Sequence, residues 1–380
     1  MRRLLLVLAA GLALAVPFVV GYRLSQGSRA TTPIVMPKIV DQVREALASR
    51  YYRPVPEKVL QLGSVGKIIS ALGDPYTAYL TPPDYKLVRQ ETASTYTGIG
   101  ISVLPSPRGL VIVSLRPGPA QRAGVHVGDT IVGIGGRPAA RLSMTQGLAR
   151  ILGPRGTIVH LSLTRGDRRL DLRVRRDTIH APIVRANLVS YAGRRWGVLR
   201  LSGFRIGAAV VLGREVRRLE RLGARGFVLD LRENPGGLFD QAVAVSSLFL
   251  DRGVVVSLVG AHSPKEVYRA AGGLATRLPM VVLIDRFSAS SAEIVAAALR
   301  DHRRATLVGE RTYGKALVQS IDPLDNGAAL ELTIARYTTP SGSDISGVGV
   351  APDVRAVDNP RTPADEALAA GLAVLARPAT

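Results

Sequence analysis

Residues 280–301 read MVVLIDRFSASSAEIVAAALRD: an apolar run, a turn of small residues, and a second run with helical spacing. The run from Met280 to Ile284 is typical of a buried strand, and the run from Ala292 to Asp301 is typical of a helix. Ser290 would therefore lie at a strand-to-helix junction, beside the free N–H groups of a helix N-terminus. Nucleophiles and the donors that stabilise an oxyanion are commonly placed at such junctions. From this segment alone, an ordinary N-cap serine is the alternative.

Strand-like and helical runs alternate through the second half of the chain. The strand-like runs are Val198–Leu201, Phe227–Leu231, Val254–Val259, Met280–Ile284, Thr306–Val308 and Ala329–Ala335. The helical runs are Ala208–Leu222, Phe239–Phe249 and Ala292–Asp301. This alternation predicts an α/β core with a largely parallel sheet, which we place at residues 178–358. A tail at residues 359–380 contains an alanine-rich run, Thr362–Leu375, that predicts a further helix.

A lysine follows a short apolar strand in residues 309–319, GERTYGKALVQ. Lys315 has glycine and aliphatic neighbours, and burial there would disfavour its charged form and lower its pKa. A neutral amine of this kind can accept the proton of a serine hydroxyl. The alternative is a surface lysine in a turn. Histidine is a poor candidate for the base, because none of the five lies in a Ser-His-Asp context: His126, His160, His180, His262 and His302.

A glycine pair ends a third segment, residues 229–238, LDLRENPGGL. Glycines after a strand permit close backbone approach, and their exposed N–H groups could stabilise an oxyanion. The same geometry serves phosphate binding, but the lysine and the Ser/Thr of a P-loop are missing. A plain strand-to-helix turn is the alternative.

The three segments together resemble those of the carboxyl-terminal processing peptidases, also called tail-specific proteases. Ser290 and Lys315 lie 25 positions apart, in the contexts Ser-Ala-Ser-x-x-Glu and Gly-Glu-x-Thr-x-Gly-Lys-x-x-x-Gln. Residues 73–80 (GDPYTAYL) are similar to the family's N-terminal signature. Residues 335–342 (ARYTTPSG) and 347–353 (GVGVAPD) are similar to its C-terminal signature.

The resemblance implies a serine endopeptidase with a ClpP/crotonase-like core that needs no metal or other cofactor. In it, Ser290 is the nucleophile, Lys315 the general base and Gln319 the residue that orients the lysine. If the stretch from Lys315 to Gln319 is helical, both side chains face one site, because four residues make about one turn.

The resemblance also implies two oxyanion donors. One is the backbone N–H of Ser291, and the other comes from Gly236 or Gly237. The family usually reads Ser-Ala-Ser-Ala-Ser-Glu, whereas here Ser291 and Ala292 exchange the last small pair. A backbone donor survives this exchange.

Short strand-like runs with one helical run, Ser143–Leu152, predict a β-rich module at residues 95–177. This module resembles a PDZ domain, and PAQRAGV at 119–125 and VGDTI at 127–131 match its common segments. The resemblance implies that consecutive backbone N–H groups receive a substrate's C-terminal carboxylate, while the next strand edge pairs with the peptide. The implied carboxylate-binding residues are Gly98, Ile99, Gly100 and Ile101.

The side-chain preference of this PDZ-like module would be set by its helix. Met144, Leu148 and Ile151 are apolar and predict a preference for apolar substrate tails. The alternative is a β-barrel with a structural role alone.

The N-terminus carries Arg2 and Arg3 before an apolar run from Leu4 to Val20. This pattern predicts a signal peptide or an uncleaved signal anchor at residues 1–25, and in either case an extracytoplasmic body. The anchor is favoured, and it would attach this body to the membrane. Residues 33–94 show helical periodicity and predict a small helical unit.

The composition of the chain restricts the kinds of binding partner and catalytic chemistry that we expect. The net charge of +21 is spread along the chain without a basic stripe interleaved with aromatics, which argues against nucleic-acid binding. The absence of cysteine excludes thiol catalysis and cysteine-ligated zinc. The expected partners are protein substrates with free C-termini, and a homo-oligomer is left open. Two other functions remain open: an inactive membrane-anchored PDZ scaffold, and a different acyl-transfer enzyme or a retinoid- or lipid-like binder on the same fold.

Overall fold

The computed structural model describes residues 39–90, 95–180, 182–262, 264–359, 362 and 364–377. The signal or anchor predicted at residues 1–25 lies outside these ranges. None of the helices formed by the described residues is both long and apolar enough to cross a membrane.

The first described segment is mostly helical. Its elements are α1 (Ile39–Arg50), α2 (Glu57–Leu60), α3 (Val65–Leu72), β1 (Ala78–Leu80) and α4 (Pro82–Gln90). Val43, Leu47 and Ile68 are fully buried and pack with Leu330 and Leu332, which lie near the other end of the chain. The predicted helical periodicity is confirmed within residues 39–90, whereas the extended segment β1 was not predicted.

The middle of the chain is a β-rich unit. Its elements are β2 (Thr95–Gly98), β3 (Ile101–Ser106), β4 (Gly109–Leu115), α5 (Pro119–Arg122), β5 (Thr130–Ile134), β6 (Arg137–Pro138), α6 (Met144–Ile151), β7 (Ile158–Arg165), β8 (Arg168–Arg175) and β9 (Asp177–His180). An antiparallel sheet runs β3-β4-β5-β7-β8, with β6 beside β5. The strands β2 and β9 pair separately at the entrance and exit of the unit. A capping box between Ser143 and Gln146 begins α6.

The second half of the chain is an α/β core. Its elements are β10 (Val184–Tyr191), β11 (Arg194–Leu201), α7 (Ala208–Arg221), β12 (Phe227–Asp230), α8 (Phe239–Ser247), β13 (Val254–Val259), β14 (Glu266–Arg269), β15 (Met280–Ile284), α9 (Ser291–Asp301), β16 (Thr306–Gly309), β17 (Leu317–Pro323), β18 (Ala329–Thr338), β19 (Val354–Arg355) and α10 (Glu366–Ala376). One sheet runs β10-β11-β12-β15-β16-β19 and is parallel from β11 to β19. Helices cover both of its faces: α7, α8 and α9 on one, and α10 on the other.

A second, antiparallel sheet runs β1-β18-β13-β14, with β17 also paired to β18. The predicted parallel sheet is therefore confirmed for β11, β12, β15 and β16, but β13 and β18 belong to the antiparallel sheet. Strand β18 has the N-terminal helices on one side, through Leu330 and Leu332. Its other side faces the candidate site.

The parallel sheet brings the three motif-bearing loops together. Strands β12, β15 and β16 are neighbours with the same direction. The glycine turn follows β12, the serine turn follows β15, and the lysine segment follows β16. Because carboxyl ends of parallel strands meet at one edge of a sheet, all three loops open at that edge.

Candidate active site

Ser290 occupies the N-cap position of α9 with an uncommon backbone conformation. Its φ is 53° and its ψ is −117°, although the residue is not glycine. Such a conformation costs about 1–3 kcal/mol and persists where the surroundings hold it. Here the Ser290 N–H donates to Glu293 Oε2 at 2.9 Å, and its carbonyl accepts from the Tyr337 hydroxyl at 3.1 Å. The side chain is half-buried at the edge of the sheet.

Glu293 joins the serine turn to the lysine segment. Its side chain is fully buried, and its Oε2 accepts from both Ser290 N–H (2.9 Å) and Lys315 N–H (2.8 Å). Its Oε1 accepts from Gly314 N–H at 2.7 Å and from the Thr312 hydroxyl. Burial raises the pKa of Glu293, and these hydrogen bonds oppose that rise. One carboxylate oxygen thus fixes the backbone of the serine and of the lysine relative to each other.

Lys315 is buried, with 8 % of its surface exposed. Its Nζ lies 4.5 Å from the centre of the Tyr76 ring. Across the described residues, this nitrogen forms no ion pair and no hydrogen bond. Burial lowers the pKa of the Lys315 ammonium, while the carboxylates of Glu331, Asp74 and Glu293 act in the opposite direction. This is the environment in which a lysine amine loses its proton most readily.

Gln319 lies on a strand, so the helical arrangement considered for the stretch from Lys315 to Gln319 is wrong. Strand β17 begins at Leu317, and its pairing with β18 shifts register between Val318 and Gln319. The Gln319 amide donates a long hydrogen bond of 3.5 Å to the Thr333 hydroxyl. Gln319 is therefore connected to the site by its hydrogen bond to Thr333 of β18, and not by sharing a helical turn with Lys315.

The glycine turn lies directly against Ser290. A Cβ added to Gly236 would be 2.8 Å from the Ser290 Cβ and 3.0 Å from the Ser291 nitrogen. The Gly236 N–H donates to the Asn234 side chain at 2.9 Å. In contrast, the N–H groups of Gly237 and Ser291 donate to no acceptor in the described part of the chain.

Strand β18 supplies a wall of the site that the sequence analysis missed. Tyr337 donates through its hydroxyl to the carbonyls of Lys315 (2.7 Å) and Ser290 (3.1 Å). Glu331 lies two positions before Thr333 on β18 and is buried on the same side of the strand. The Thr333 hydroxyl donates to Asp74 Oδ2 at 2.7 Å. The alternation of polar and apolar residues along 329–337 is the signal that could have revealed this wall.

The β-rich unit touches the serine turn. Ala289, next to Ser290, is fully buried with Leu104 and Val113 from that unit. The Tyr313 hydroxyl, two residues before Lys315, donates to the Pro105 carbonyl at 2.6 Å. A cleft of about 970 Å³ opens between this unit and the N-terminal segment. Its lining includes Asp74, Tyr76, Gln146, Arg150 and Tyr313.

The loop expected to bind a carboxylate has two free backbone donors. Ile99 is fully buried, and Gly100 has a φ of 86° that favours glycine. The carbonyls of both residues accept backbone hydrogen bonds, whereas neither N–H has an acceptor among the described residues. Gly98 ends β2 and Ile101 begins β3, so the loop lies beside the strand edge.

The three apolar residues of α6 that we expected to set the tail preference lie in different surroundings. Ile151 is buried inside the β-rich unit, and Met144 packs toward Leu104 and the serine turn. Leu148 packs with Tyr96 and Leu152 beside the loop. Ile151 shares its core with Ile99 and Ile101 of the carboxylate loop, and the preference for apolar substrate tails stays a prediction.

Comparison with known proteins agrees with this architecture. Residues 195–356 match the model of peptidase family S41, and residues 97–175 match that of the PDZ domain. The chain is 35 % identical over 306 residues to a carboxyl-terminal-processing protease of Picosynechococcus, covering 79 % of this chain and 74 % of that protein. It is 33 % identical over 336 residues to the carboxy-terminal processing protease CtpA of Bacillus subtilis, with coverages of 88 % and 71 %.

A chloroplastic relative is longer. Carboxyl-terminal-processing peptidase 2 of Arabidopsis thaliana is 34 % identical over 304 residues, which are 76 % of this chain but 59 % of that protein. The solved photosystem II D1 C-terminal processing protease superposes with a TM-score of 0.74 at 28 % identity, covering 84 % of this chain and 92 % of that one.

Fold, site and matches together define a serine peptidase that carries a PDZ domain. More narrowly, the chain belongs to the carboxyl-terminal-processing proteases of peptidase family S41.

Proposed function

We propose that the chain cleaves protein substrates with a Ser290/Lys315 dyad. The observation that carries the proposal is the buried residue Lys315, whose amine has no hydrogen-bond or ion-pair partner among the described residues. One oxygen of Glu293 joins its backbone N–H to that of Ser290. Neutral Lys315 takes the hydroxyl proton of Ser290, and Ser290 attacks the scissile carbonyl. The protonated lysine then supplies a proton to the leaving amine, and water releases the acyl-enzyme.

The oxyanion of this reaction would be stabilised by the N–H groups of Ser291 and Gly237. Both donors lack a partner in the described structure, whereas the Gly236 N–H is already used by Asn234. This favours Gly237 over Gly236 as the second donor. The role of Gly236 is then steric, because its missing side chain leaves room beside Ser290.

Gln319 is proposed as a positioning residue. It contacts Thr333, which in turn donates to Asp74, one of the carboxylates whose charge acts on Lys315. Its influence on the lysine would therefore pass through β18 and the turn before β1.

The PDZ domain is proposed to hold the substrate's C-terminal carboxylate at residues 98–101, through the N–H groups of Ile99 and Gly100. The 970 Å³ cleft offers the substrate a route past α6 to Tyr76, which covers the Lys315 amine. The same proposal includes export and membrane anchoring by residues 1–25. It also includes the domain limits: a helical unit at 33–94, the PDZ domain at 95–177, the protease core at 178–358 and a tail at 359–380.

The test is proteolysis of an unfolded model protein by the full chain in detergent, followed on gels. Ser290→Ala and Lys315→Ala are expected to abolish cleavage. The matched controls, Ser49→Ala and Lys58→Ala, change the same residue types at exposed sites and should cleave like wild type. Cleavage that persists in Ser290→Ala or Lys315→Ala would refute the dyad. A wild type that cleaves nothing, even with a C-terminal peptide added, would favour the scaffold function.

A further inference from the structure

Tyr76 lies over the amine that the proposed reaction uses as its base. The centre of its ring is 4.5 Å from Lys315 Nζ. This is inside the range of about 6 Å over which an aromatic face attracts a cation. Tyr76 is half-buried, and it also lines the 970 Å³ cleft. The residue therefore contacts both the buried amine and the space that is open to a substrate.

The turn that carries Tyr76 is held by a buried carboxylate. Asp74 Oδ1 accepts from the Tyr76 N–H at 2.9 Å. Asp74 Oδ2 accepts from the hydroxyls of Thr333 (2.7 Å), Thr77 (2.8 Å) and Tyr51 (3.2 Å). These hydroxyls come from β18, from the turn itself and from the residue after α1. Three separate parts of the chain thus fix the backbone from which the ring extends.

The proposed proton transfer creates a charge beneath this ring. When the hydroxyl proton of Ser290 moves to Lys315 Nζ, the amine becomes an ammonium as the bond from Oγ to the scissile carbon forms. Among the described residues, no group hydrogen-bonds to this nitrogen and no carboxylate lies within ion-pair distance of it. A buried charge without a partner is costly. An aromatic face stabilises such a cation without accepting its proton.

We infer that Tyr76 is a further catalytic residue, whose ring face stabilises the Lys315 ammonium that forms during proton transfer. This inference rests on the proposed function of Lys315 as the base. A carboxylate paired directly with the amine would favour its charged form strongly and keep the base protonated, whereas a ring attracts the ammonium more weakly. Burial raises the pKa of the Tyr76 hydroxyl, so this group stays neutral and does not compete for the proton.

The charged groups around Lys315 form the background to this effect. Burial lowers the pKa of Lys315, and the carboxylates of Glu331, Asp74 and Glu293 oppose that fall. Asp74 contacts Tyr76 through the backbone N–H, which any side chain at this position except proline leaves in place. Substitution of the Tyr76 side chain therefore retains all three carboxylates, and a displaced pH profile reports the ring itself.

The experiment measures the pH profiles of kcat and kcat/KM for peptide cleavage by the full chain in Tyr76→Leu, Tyr76→Met and Tyr76→Phe. Leucine and methionine keep an apolar cover over the amine but remove the ring. The acid limb of kcat/KM should move to lower pH by about one unit, because the ammonium becomes about tenfold less stable. The plateau of kcat should fall by about three- to tenfold, because a weaker base takes the proton less readily.

Two comparisons isolate the ring. Tyr76→Phe restores the aromatic face without the hydroxyl and should recover both the limb and the plateau. The control Tyr191→Leu makes the same change at an exposed site and should leave both in place.

Several outcomes would overturn the inference. One is an acid limb that stays in place in both Tyr76→Leu and Tyr76→Met. A limb that moves to higher pH would mean that the side chain acts by excluding water, and a Tyr76→Phe protein as impaired as Tyr76→Leu would assign the effect to the hydroxyl. If Tyr76→Leu fails to fold by circular dichroism, the Tyr76→Met profile decides.

Ser290→Ala and Lys315→Ala in the same assay separate the two levels of the argument. If either remains active, the proposed function fails. If both are inactive while Tyr76→Leu keeps the wild-type profile, the role of Tyr76 alone fails.

Discussion

Replacing Glu293 tests whether one carboxylate holds the site together. In Glu293→Gln, one carboxylate oxygen becomes an NH₂ group. This group must face either the N–H groups of Ser290 and Lys315, or the Thr312 hydroxyl and the Gly314 N–H. Facing the first pair would leave two buried donors without an acceptor. Facing Thr312 is better, because that hydroxyl can accept as well as donate, and then the Gly314 N–H alone loses its acceptor.

The size of the effect follows from these contacts. One buried N–H left without an acceptor costs about 1–3 kcal/mol. The two remaining hydrogen bonds to Ser290 and Lys315 lose charge assistance, at about 1 kcal/mol each, and relief of the buried charge offsets part of this. We expect a net loss of about 2–3 kcal/mol in the free energy of unfolding, or roughly 4–8 °C in Tm. The kcat for peptide cleavage should fall by less than about tenfold, because the amide oxygen still accepts from the N–H groups of Ser290 and Lys315.

Glu293→Ala removes all four hydrogen bonds and should lower kcat by about a hundredfold or more, because the serine and lysine backbones are no longer fixed to each other. Thermal unfolding by calorimetry and peptide cleavage would be measured on both variants, with Glu45→Gln as the exposed control. A Glu293→Ala protein as stable and as active as that control would refute the reasoning.

Three further predictions concern other parts of the site. Gly236→Ala places a methyl group 2.8 Å from the Ser290 Cβ and should lower kcat about 10²–10³-fold; wild-type turnover in steady-state kinetics would contradict the assigned steric role. Lys315→Met should be more stable than wild type by roughly 1 kcal/mol or more at pH 6. Because burial lowers the folded-state pKa of Lys315, the native state holds fewer protons than the unfolded state between that pKa and the ordinary lysine value, so the difference should shrink as pH rises through this window. Urea unfolding at several pH values measures it, and a pH-independent difference would count against a neutral lysine. Tyr313→Phe removes the hydrogen bond to Pro105 and should lower stability by about 0.5–1.5 kcal/mol while speeding limited proteolysis between the PDZ domain and the core; an unchanged cleavage rate would show that this contact does not restrain the PDZ domain.

The sequence predicted what is local. The apolar run before Ser290, the small-residue turn and the helix after it are consecutive in the chain, so periodicity and turn chemistry locate them directly. The alternation of strands and helices predicted the parallel sheet, and the structure shows that the serine, glycine and lysine loops follow neighbouring strands of it. The motifs in these loops also supported the family resemblance, which the comparisons confirm.

What the sequence did not predict depends on partners far along the chain. Gln319 was considered on a helix because a four-residue spacing fits one turn, whereas pairing with β18 makes the stretch a strand. Whether Gly236 or Gly237 has a free N–H is decided by the Asn234 side chain, which no spacing reveals. The burial of Glu331 on β18 was likewise not predicted, because glutamate is usually exposed.

The pairing of β1 with β18 has a consequence for how the molecule is made. Ala78 of β1 lies opposite Glu331 of β18, so β1 cannot form this pair until β18, about 250 residues later in the chain, has been synthesised. Chains emerge N-terminus first, and contacts this distant in sequence form slowly. Until β18 is in place, Lys315 and Ser290 lack the Tyr337 hydroxyl that holds their carbonyls. We expect an incomplete chain to lack these two hydrogen bonds at the candidate site.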